Sequence, residues 1–358
     1  LILALDLGPV TVLRNTDGRF SDATESMGLA SHLSQWNGVT TGDVDGDGNL
    51  DIVATSWGRN TKFRASVTRP LLLYYSDFDR NGTLDVLQAQ FDDLLGEVAP
   101  LEENRSVLVD ALPYIGRRVP SSRAYADASL SEVVGERLAE ADVLSITTYD
   151  HAVFLNRGDV FEPVSLPPAA QLAPSFYVGV VDFDGDGTED LFLTQNFFPT
   201  AITTPRYDAG RGLWLRGVGN GEFERVPGST SGIEVYGDQR GAAFSDFDGD
   251  GRVDLAISQN GRETKLYRNE RGEPGLRVRL QGGPGNPHAI GAAIHLIYED
   301  RWGPLREVHG GSGYWSLDGP LQVMGGVEGA IAVWVRWPGG ETTQLPLEPG
   351  QREVTIER

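Results

Sequence analysis

The sequence predicts an all-β protein, and three observations support this fold class. Its 45 glycines are spread along 358 residues without a three-residue period, which is typical of many tight turns between short strands. A nine-residue acidic pattern recurs four times, and the residues before and after each copy are mostly apolar or β-branched. Near the C-terminus, Ala332–Arg336 and Glu353–Glu357 alternate between apolar and polar residues, as half-buried strands do.

The length and composition indicate a folded chain with more than one domain. Single hydrophobic cores stop growing at roughly 250–300 residues, and this chain has 358. No apolar run approaches the roughly 20 residues of a membrane helix, so we expect no membrane span. The chain opens inside an apolar run, Leu1–Leu7, without an initiator methionine. We therefore expect a truncated sequence whose signal peptide would lie upstream.

The charge balance argues against two classes of partner. The chain carries 30 lysines and arginines against 51 aspartates and glutamates, a net charge of −21. Such a chain repels the phosphates of nucleic acids and the anionic surface of membranes, so we expect no nucleic-acid binding. The absence of cysteine excludes disulfides, thiolate metal sites and cysteine nucleophiles. Binding of cations would relieve the excess negative charge.

The pattern D-x-D-x-[DN]-G-x-x-D carries the most specific chemistry in the sequence. It occurs at Asp43–Asp51, Asp77–Asp85, Asp182–Asp190 and Asp246–Asp254, here named loop 1 to loop 4. Calcium takes six to eight oxygen ligands at about 2.3–2.6 Å, and alternate side chains of a tightly curled loop can all point inward. Oxygen donors without imidazole or sulfur favour calcium over zinc or copper, and magnesium fits less well because it retains water and demands octahedral geometry. We therefore predict about four Ca2+ ions, one in each loop.

The spacing assigns a role to each position of the loop. Positions 1, 3 and 5 would supply side-chain oxygens, the glycine at position 6 permits the sharp turn, position 7 would offer its backbone carbonyl, and position 9 would close the shell. The predicted calcium ligands are therefore Asp43, Asp45, Asp47, Asn49 and Asp51; Asp77, Asp79, Asn81, Thr83 and Asp85; Asp182, Asp184, Asp186, Thr188 and Asp190; and Asp246, Asp248, Asp250, Arg252 and Asp254.

The loop opens like an EF-hand but differs from it in two respects. An EF-hand has a bidentate glutamate at loop position 12 and a helix on each side, whereas position 12 here is Ala54, Gln88, Leu193 or Ile257. The flanks read as strands, so we expect each loop to connect two β-strands.

The alternative to a calcium-binding loop is an acidic turn that binds nothing. We favour calcium because the mutual repulsion of three or four carboxylates in every copy would be costly without a cation.

The loops and their flanking strands resemble FG-GAP/VCBS repeats, the blades of integrin-α-like β-propellers. The segments VTVLRNTDGRF, AVFLNRGDVF, LWLRGVGNGEF and KLYRNERG look like the outer strands of such blades. The resemblance implies a β-propeller over residues 1–272, with each calcium-binding loop in a blade hairpin. The 105 residues from Asp77 to Asp182 predict a small helical insertion at about 94–145, most clearly at Ser129–Ala139, where Ser129 and Glu132 form a capping box.

Residues 273–358 lack the loop and are predicted to form a small C-terminal β domain. The motifs NPHAIGAAIHL (Asn286–Leu296), REVHGGSGYWS (Arg306–Ser316) and VWVRWPGG (Val333–Gly340) resemble an ASPIC/UnbV domain. A propeller followed by this domain is the layout of the cartilage-acidic-protein family, which has extracellular vertebrate members. Ala293 stands where the family usually has arginine, and LQVMGG replaces an HFGLG-like run. These departures weaken the transfer of any site residue within this domain.

Other candidate residues have simpler structural interpretations. The histidines show no metal-ligand spacing, and we expect surface or packing roles for His32, His151, His288, His295 and His309. Glu307, His309 and Ser312 offer an acid, a base and a nucleophile, but no G-x-S-x-G elbow surrounds the serine, so we favour a structural turn. The segment Ser56–Ser66 is basic and aromatic, and one interpretation is that it binds an acidic sugar or a peptide carboxylate. We favour the other interpretation, in which Trp57 packs between blades and the basic side chains of the segment balance the carboxylates of the acidic loops.

Two functions remain open. The leading hypothesis is a non-enzymatic calcium-binding module outside the cytoplasm (secreted, periplasmic or on the cell surface) that contacts an unknown protein or glycan, as in cell adhesion. We favour it because the repeated acidic pattern lies in turns that connect the strands of the scaffold. The alternative is a calcium-dependent enzyme, either a polysaccharide lyase or hydrolase or a biosynthetic tailoring enzyme. An enzyme would need a pocket with convergent titratable groups.

Overall fold

The computed structural model describes residues 1–102, 104–202 and 204–358. Strands dominate this part of the chain, and the predicted all-β class is confirmed. Within the described ranges, no helix is long and apolar enough to cross a membrane.

The elements are numbered in chain order. The first strands are β1 (Ile2–Ala4), β2 (Asp6–Gly8), β3 (Val10–Thr16), β4 (Arg19–Asp22), β5 (Ser34–Gln35), β6 (Gly38–Gly42), β7 (Asp51–Thr55), β8 (Leu71–Ser76), β9 (Asp85–Asp92) and β10 (Glu97–Pro100). Short helices follow as α1 (Arg105–Ala111), α2 (Ile115–Arg118), α3 (Ser122–Ala126) and α4 (Leu130–Val134), and α4 continues into a 3-10 helix (Gly135–Glu140).

The chain then returns to strands. The central elements are β11 (Asp142–Ile146), β12 (Ala152–Asn156), β13 (Phe161–Ser165), a 3-10 turn (Ala170–Leu172), β14 (Val178–Val181), β15 (Asp190–Leu193), β16 (Leu213–Gly219), β17 (Glu222–Val226), α5 (Gly228–Ser231), β18 (Asp238–Ser245), β19 (Asp254–Asn260) and β20 (Arg262–Tyr267). The last strands are β21 (Leu276–Gln281), β22 (Ala293–Ile297), β23 (Arg306–Glu307), β24 (Gln322–Met324), β25 (Ala332–Arg336), β26 (Thr342–Pro346) and β27 (Glu353–Glu357).

Each acidic loop connects two antiparallel neighbours of one sheet. The four pairs are β6–β7, β8–β9, β14–β15 and β18–β19. The residue before each loop lies opposite the ninth loop residue, as Gly42 lies opposite Asp51 and Val181 opposite Asp190. The prediction that the loops connect β-strands is therefore confirmed.

The sheets are named after the loop that each contains. Sheet 1 has the order β13-β12-β7-β6, sheet 2 has β10-β9-β8-β11, sheet 3 has β14-β15-β16-β17 and sheet 4 has β18-β19-β20. A further sheet, β1-β3-β4, and the pair β2-β5 precede them. Sheet 4 therefore has three described strands where sheets 1 to 3 have four.

Sheet 2 and the helices form an insertion within sheet 1. Strands β7 and β12 are hydrogen-bonded neighbours, although residues 56–151 separate them in the chain. The insertion is thus larger than the predicted 94–145 and includes loop 2. The spacing of the acidic pattern locates hairpins but does not indicate which sheet each hairpin joins. The helices lie inside the predicted range, and the capping box is present, with Ser129 Oγ accepting from Glu132 N at 3.3 Å and Glu132 Oε2 accepting from Ser129 N at 2.9 Å.

Neighbouring sheets pack through apolar side chains. Sheets 1 and 3 share a core that includes Val53 and Leu191. Sheets 3 and 4 share a second core that includes Phe192 and Phe244. In the insertion, Phe78 of loop 2 packs on the helices rather than on sheet 1.

The C-terminal strands enclose a core of their own. They form two sheets, β24-β21-β27 and β23-β22-β25-β26, and β21 runs parallel to β27. Leu276, Ile294 and Val333 are buried between them. The strands predicted at Ala332–Arg336 and Glu353–Glu357 are confirmed as β25 and β27.

The segment between β23 and β24 packs against sheets 3 and 4. Asp318 Oδ1 accepts hydrogen bonds from Phe244 N at 2.9 Å and from the Tyr177 hydroxyl at 3.3 Å. Gly319 N donates to Phe244 O at 2.8 Å. The C-terminal strands are therefore held against the loop-bearing sheets by direct polar contacts.

The packing of sheet 1 on sheet 3 can be tested at Gly38. A Cβ atom there would lie 2.6 Å from Phe176 O and 2.9 Å from Thr55 Oγ1. We expect Gly38→Ala to lower the free energy of unfolding by about 1–3 kcal/mol, because a backbone carbonyl cannot move aside easily. Urea denaturation measures this change. Gly283→Ala, where an added Cβ meets no atom within 4 Å, should stay within about 0.5 kcal/mol of the parent; equal losses in the two variants would contradict the packing.

Candidate metal centres

Three carboxylates converge in every acidic loop. Each member offers an oxygen that lies within 4.8 Å of the others in its group. The four triads are Asp43, Asp45 and Asp51; Asp77, Asp79 and Asp85; Asp182, Asp184 and Asp190; and Asp246, Asp248 and Asp250. Loops 1 to 3 thus bring together positions 1, 3 and 9, whereas loop 4 brings together positions 1, 3 and 5.

The first aspartate organises the turn by accepting backbone N–H groups from its own loop. Asp182 Oδ1 accepts from Gly185 N at 2.7 Å, and Asp182 Oδ2 accepts from Gly187 N at 2.9 Å. Gly187 has φ = +88°, a left-handed conformation that glycine adopts without strain. The glycine at position 6 is therefore required for the curled backbone that surrounds the first aspartate.

The ninth aspartate ties the loop to the next strand of its sheet. Asp190 Oδ2 accepts from Phe183 N and from Trp214 Nε1, both at 3.0 Å, and Asp190 Oδ1 accepts from Gly217 N at 2.8 Å. Asp51 repeats the arrangement, with Asn156 N at 2.7 Å on its Oδ1. This residue therefore has a structural role in addition to its place in the triad.

Positions 5 and 7 form a small turn within each loop. The side-chain oxygen of the fifth residue accepts the N–H of the seventh, between Asp47 and Asn49 at 2.8 Å, Asn81 and Thr83 at 2.7 Å, Asp186 and Thr188 at 2.8 Å, and Asp250 and Arg252 at 2.9 Å. Asp47 and Asp186 lie outside the triads, and so does Asp254 of loop 4. The ligand roles predicted for all positions of the four loops, those of the triads included, stay predictions.

Burial makes it unfavourable for the carboxylates in the triads of loops 1 and 3 to carry charge. It raises the pKa of Asp43 to about 6, of Asp51 to about 7, of Asp182 to about 7 and of Asp190 to about 8. Burial penalises the charged carboxylate, so keeping all four groups ionised near neutral pH is unfavourable unless positive charge compensates them. A divalent cation would supply that charge.

The donor set of the loops fits calcium. The triads contain only carboxylate oxygens, the hard ligands that calcium prefers. In loop 1, Asp43 Oδ1 is buried and accepts no hydrogen bond from the described residues. A buried acceptor without a partner is costly, and a cation beside it would satisfy this oxygen.

Arginines contact the third position of three loops. Arg157 Nη1 lies 2.6 Å from Asp45 Oδ2 in loop 1. Arg268 Nε lies 2.6 Å from Asp248 Oδ2 in loop 4. Arg216 Nη1 lies 3.9 Å from Asp184 Oδ2 in loop 3. Sequence reasoning missed these partners. Their signal is an arginine that recurs in the segments FLNRG, WLRGV and LYRN at the third strand.

The C-terminal strands contact loop 1, loop 3 and loop 4. Leu305 N donates to Asp43 Oδ2 at 2.8 Å, and Gly326 N donates to Gly185 O at 2.9 Å. Arg277 Nε lies 2.8 Å from Asp246 Oδ2. Loop 2 instead contacts the helical part of the insertion, where the Arg137 guanidinium donates to the carbonyl of Phe78.

Beside loop 3, a buried ion pair strengthens the contact between the C-terminal strands and the loop-bearing sheets. The Arg306 guanidinium donates from Nε to Glu189 Oε1 at 3.0 Å and from Nη2 to Glu189 Oε2 at 2.7 Å. Glu189 directly precedes the ninth aspartate of loop 3. The bidentate geometry fixes the position of β23 relative to that loop.

Glu307 and His309 lie together, with His309 Nε2 3.7 Å from Glu307 Oε2, whereas Ser312 bonds to Asp318. Thr41 Oγ1 lies 2.9 Å from His309 Nε2 and donates to Glu307 Oε2 at 3.2 Å. Ser312 Oγ accepts from Asp318 N at 3.0 Å and therefore belongs to the following turn. This geometry agrees with the structural interpretation of the motif.

The buried histidines have structural partners. His151 Nδ1 accepts from Ser56 N at 2.8 Å, and its Nε2 lies 3.0 Å from Ala173 O, which can only accept. His295 Nδ1 lies 2.7 Å from Gly303 O. These two histidines therefore have the packing roles that the sequence favoured.

The basic segment Ser56–Ser66 is only partly as predicted. Trp57 packs against the rings of Phe197 and Tyr207, with centroid distances of 5.1 and 5.4 Å, in agreement with a packing role. Arg59 forms a bidentate pair with Asp150, with contacts of 2.7 and 2.5 Å. The prediction that this arginine balances the loop carboxylates is wrong. Arg59 pairs with Asp150 instead, at the end of the sheet 1 strands that lies opposite loop 1.

Two segments of the chain match known protein families. Residues 1–54 match the FG-GAP-like repeat. Residues 282–358 match ASPIC and UnbV. Both correspond to the resemblances drawn from the sequence motifs.

The chain is also similar to curated relatives named cartilage acidic protein 1. The human protein is 28% identical over 206 residues, which is 55% of this chain and 30% of that protein. The mouse protein is 29% identical over the same shares. The Xenopus tropicalis protein is 27% identical over 214 residues, 56% of this chain and 32% of that protein. The alignments thus span about a third of each relative, and with the two family matches they confirm the suspected resemblance.

A matched pair of variants separates the structural and ligand roles of loop 3. Asp190→Asn removes an acceptor that holds Phe183, Trp214 and Gly217, so it should lower unfolding free energy by about 1–3 kcal/mol even in chelator. Asp184→Asn removes an oxygen of the triad but only one internal hydrogen bond of 3.3 Å, from Asp186 N. It should change stability by less than about 0.5 kcal/mol in chelator and reduce the gain from calcium. Urea denaturation with and without calcium measures both; equal losses of the two variants in chelator would contradict these roles.

The pH dependence of stability tests the environment of His151. Burial lowers the pKa of His151 to about 4 from 6.5, so the unfolded chain binds a proton that the folded chain refuses between these pH values. Stability is therefore lost as pH falls through this window, by roughly 2 kcal/mol between pH 7 and pH 5 from this group. His151→Gln should show a shallower decline in urea denaturation with calcium present. His288→Gln, which alters an exposed histidine, should keep the parent slope, and an unchanged slope in His151→Gln would contradict the assignment.

Proposed function

We propose that this chain is a calcium-binding β-propeller module that acts outside the cytoplasm and presents a rigid surface to a protein or glycan. The observation that carries the proposal is the convergence of three carboxylates in every loop, with a buried and unpartnered oxygen of Asp43 in loop 1. Calcium in these loops would offset the mutual repulsion of the carboxylates and, in loops 1 and 3, the cost of burying them.

The propeller assignment is supported by how the sheets are built and packed. Sheets 1, 3 and 4 are antiparallel, carry their loops at corresponding hairpins, and pack on one another through apolar faces. Propeller blades are sheets of this kind arranged radially. We propose residues 1–272 as the propeller, with sheet 2 and the helices as an insertion, and residues 273–358 as the C-terminal domain.

Calcium would have a structural role in this module. The triad oxygens would hold the ion, together with the carbonyl of position 7 and the fifth side chain. The ninth aspartate of loops 1 and 3 links those sites to a neighbouring strand, and loops 1, 3 and 4 also contact the C-terminal domain. Occupied loops would therefore stiffen both the sheets and the joint between the domains.

An interaction role is supported more than catalysis. The set of acid, base and nucleophile that the sequence offers is engaged with Thr41 and Asp318 rather than with a reacting centre. The relatives share a name that describes an acidic protein of cartilage and no reaction. We expect the carboxylate loops to bind calcium with modest affinity. Such affinity suits a location outside the cytoplasm, because extracellular modules bind calcium with dissociation constants of about 10⁻⁴–10⁻³ M.

Thermal melting tests the proposed function. Calcium should raise the melting temperature on the order of 10 °C over chelator, because ligands that bind only the folded state stabilise it. Magnesium should give much less. The Asp182→Ala/Asp246→Ala variant, which disables loops 3 and 4, should lose about half of the calcium increment.

The control for charge alone is Asp110→Ala/Asp159→Ala, which removes two exposed aspartates outside the loops. This variant should keep the full calcium increment. The proposal fails if calcium and chelator give the same melting temperature, or if both double variants respond to calcium like the parent.

A further inference from the structure

A long groove separates the outer strands of sheet 3 from sheet 4. Its larger part encloses about 600 Å³, and an adjoining part of about 280 Å³ continues past Arg225 and Ile233, which line both. Phe183, Val253 and Leu255 form an apolar floor beneath the larger part. Two adjoining parts of this combined volume suit a chain-like ligand better than a single small molecule.

Arginines are concentrated along this groove. Five arginine residues line its two parts, together with the acidic residues Asp184, Glu234 and Glu270. The arginines are Arg211, Arg216, Arg225, Arg268 and Arg271. Arg268 is paired with Asp248 of loop 4. The other four arginines still outnumber the three lining carboxylates, which in a chain of net charge −21 favours the attraction of an anion.

Several of these guanidiniums have donors to spare. Arg225 is exposed and makes no side-chain hydrogen bond or ion pair within the described ranges. Arg271 reaches only the backbone oxygen of Thr230, at 3.4 Å. The nearest carboxylate to Arg216 is Asp184, at 3.9 Å. Guanidinium forks of this kind bind carboxylates and sulfates in bidentate geometry.

The walls of the groove suit a sugar chain. Ser229, Thr230 and Ser231 contribute hydroxyl groups to the lining, and the half-buried aromatic residues Trp214 and Tyr267 also line the groove. Hydroxyls match the hydrogen-bonding groups of a saccharide, and aromatic faces pack on the apolar face of a pyranose. We propose that this groove, here named the arginine groove, binds an anionic polysaccharide bearing carboxylate or sulfate groups.

Calcium in loops 3 and 4 would strengthen this binding. Asp184 and Asp248 belong to the triads and also lie beside Arg216 and Arg268 of the groove. A cation that neutralises these carboxylates would leave the two guanidiniums less compensated. This step rests on the proposed calcium-binding function, whereas the groove itself does not require calcium to exist.

Binding of defined polyanions by the full chain tests the inference. Heparin provides sulfate groups, polygalacturonate provides carboxylates, dextran is the neutral control, and polyglutamate is an anion without sugar. Isothermal titration calorimetry with calcium present should detect binding of heparin or polygalacturonate, which identifies the anionic group, and much weaker binding of dextran and polyglutamate.

Matched double variants locate the site. Arg225→Gln/Arg271→Gln should weaken polysaccharide binding about tenfold or more, which corresponds to the loss of charge-assisted hydrogen bonds. Arg14→Gln/Arg19→Gln removes two exposed arginines of the sheet β1-β3-β4 and should bind like the parent. Thermal melting of each variant checks that it is folded. Chelator should weaken binding by the parent severalfold.

The outcomes separate the two proposals. If calcium raises the melting temperature but the two double variants bind polysaccharide equally, the arginine groove is overturned and the calcium module stands. If the groove variant loses binding while calcium changes neither melting nor affinity, the groove stands and the calcium module fails. Binding of polyglutamate as tight as that of the polysaccharides would overturn the saccharide class.

Discussion

Repulsion among the clustered aspartates is the constraint on which the rest of the structure depends. Each loop places three carboxylates within 4.8 Å of one another, and burial opposes their charge in loops 1 and 3. The chain compensates them by three means visible in the fold: backbone N–H groups of the turn, arginines of the third strand, and donors from the C-terminal strands. A bound calcium ion would complete this compensation.

The same carboxylates connect parts of the chain that lie far apart in sequence. The ninth aspartates of loops 1 and 3 fasten their hairpins to a neighbouring strand, and the first aspartate of loop 1 accepts a hydrogen bond from Leu305 N. Arg277 meets Asp246, and Arg306 meets Glu189 beside loop 3. Loops 1, 3 and 4 are therefore located at the joint between two structural units, so a change in their charge acts on both units at once.

Local features were predictable from the sequence, and long-range pairings were not. The spacing of aspartate and glycine determines the curled loop within nine residues, and flanking β-branched residues determine the hairpin, so both could be predicted. The insertion of sheet 2 could not, because a hairpin pattern does not reveal its neighbours in the sheet. The Arg59–Asp150 pair and the placement of Asp47 outside its triad depend on how strands 90 or more residues apart align and on side-chain geometry.

Calcium stoichiometry measured by native mass spectrometry tests the central claim most directly. After removal of metal with chelator and titration with calcium, the account predicts about four bound ions on the parent chain, in line with its four triads. It predicts about two on Asp182→Ala/Asp246→Ala. A parent that binds no calcium, or a variant that binds as many ions as the parent, would contradict the assignment of the loops as calcium sites.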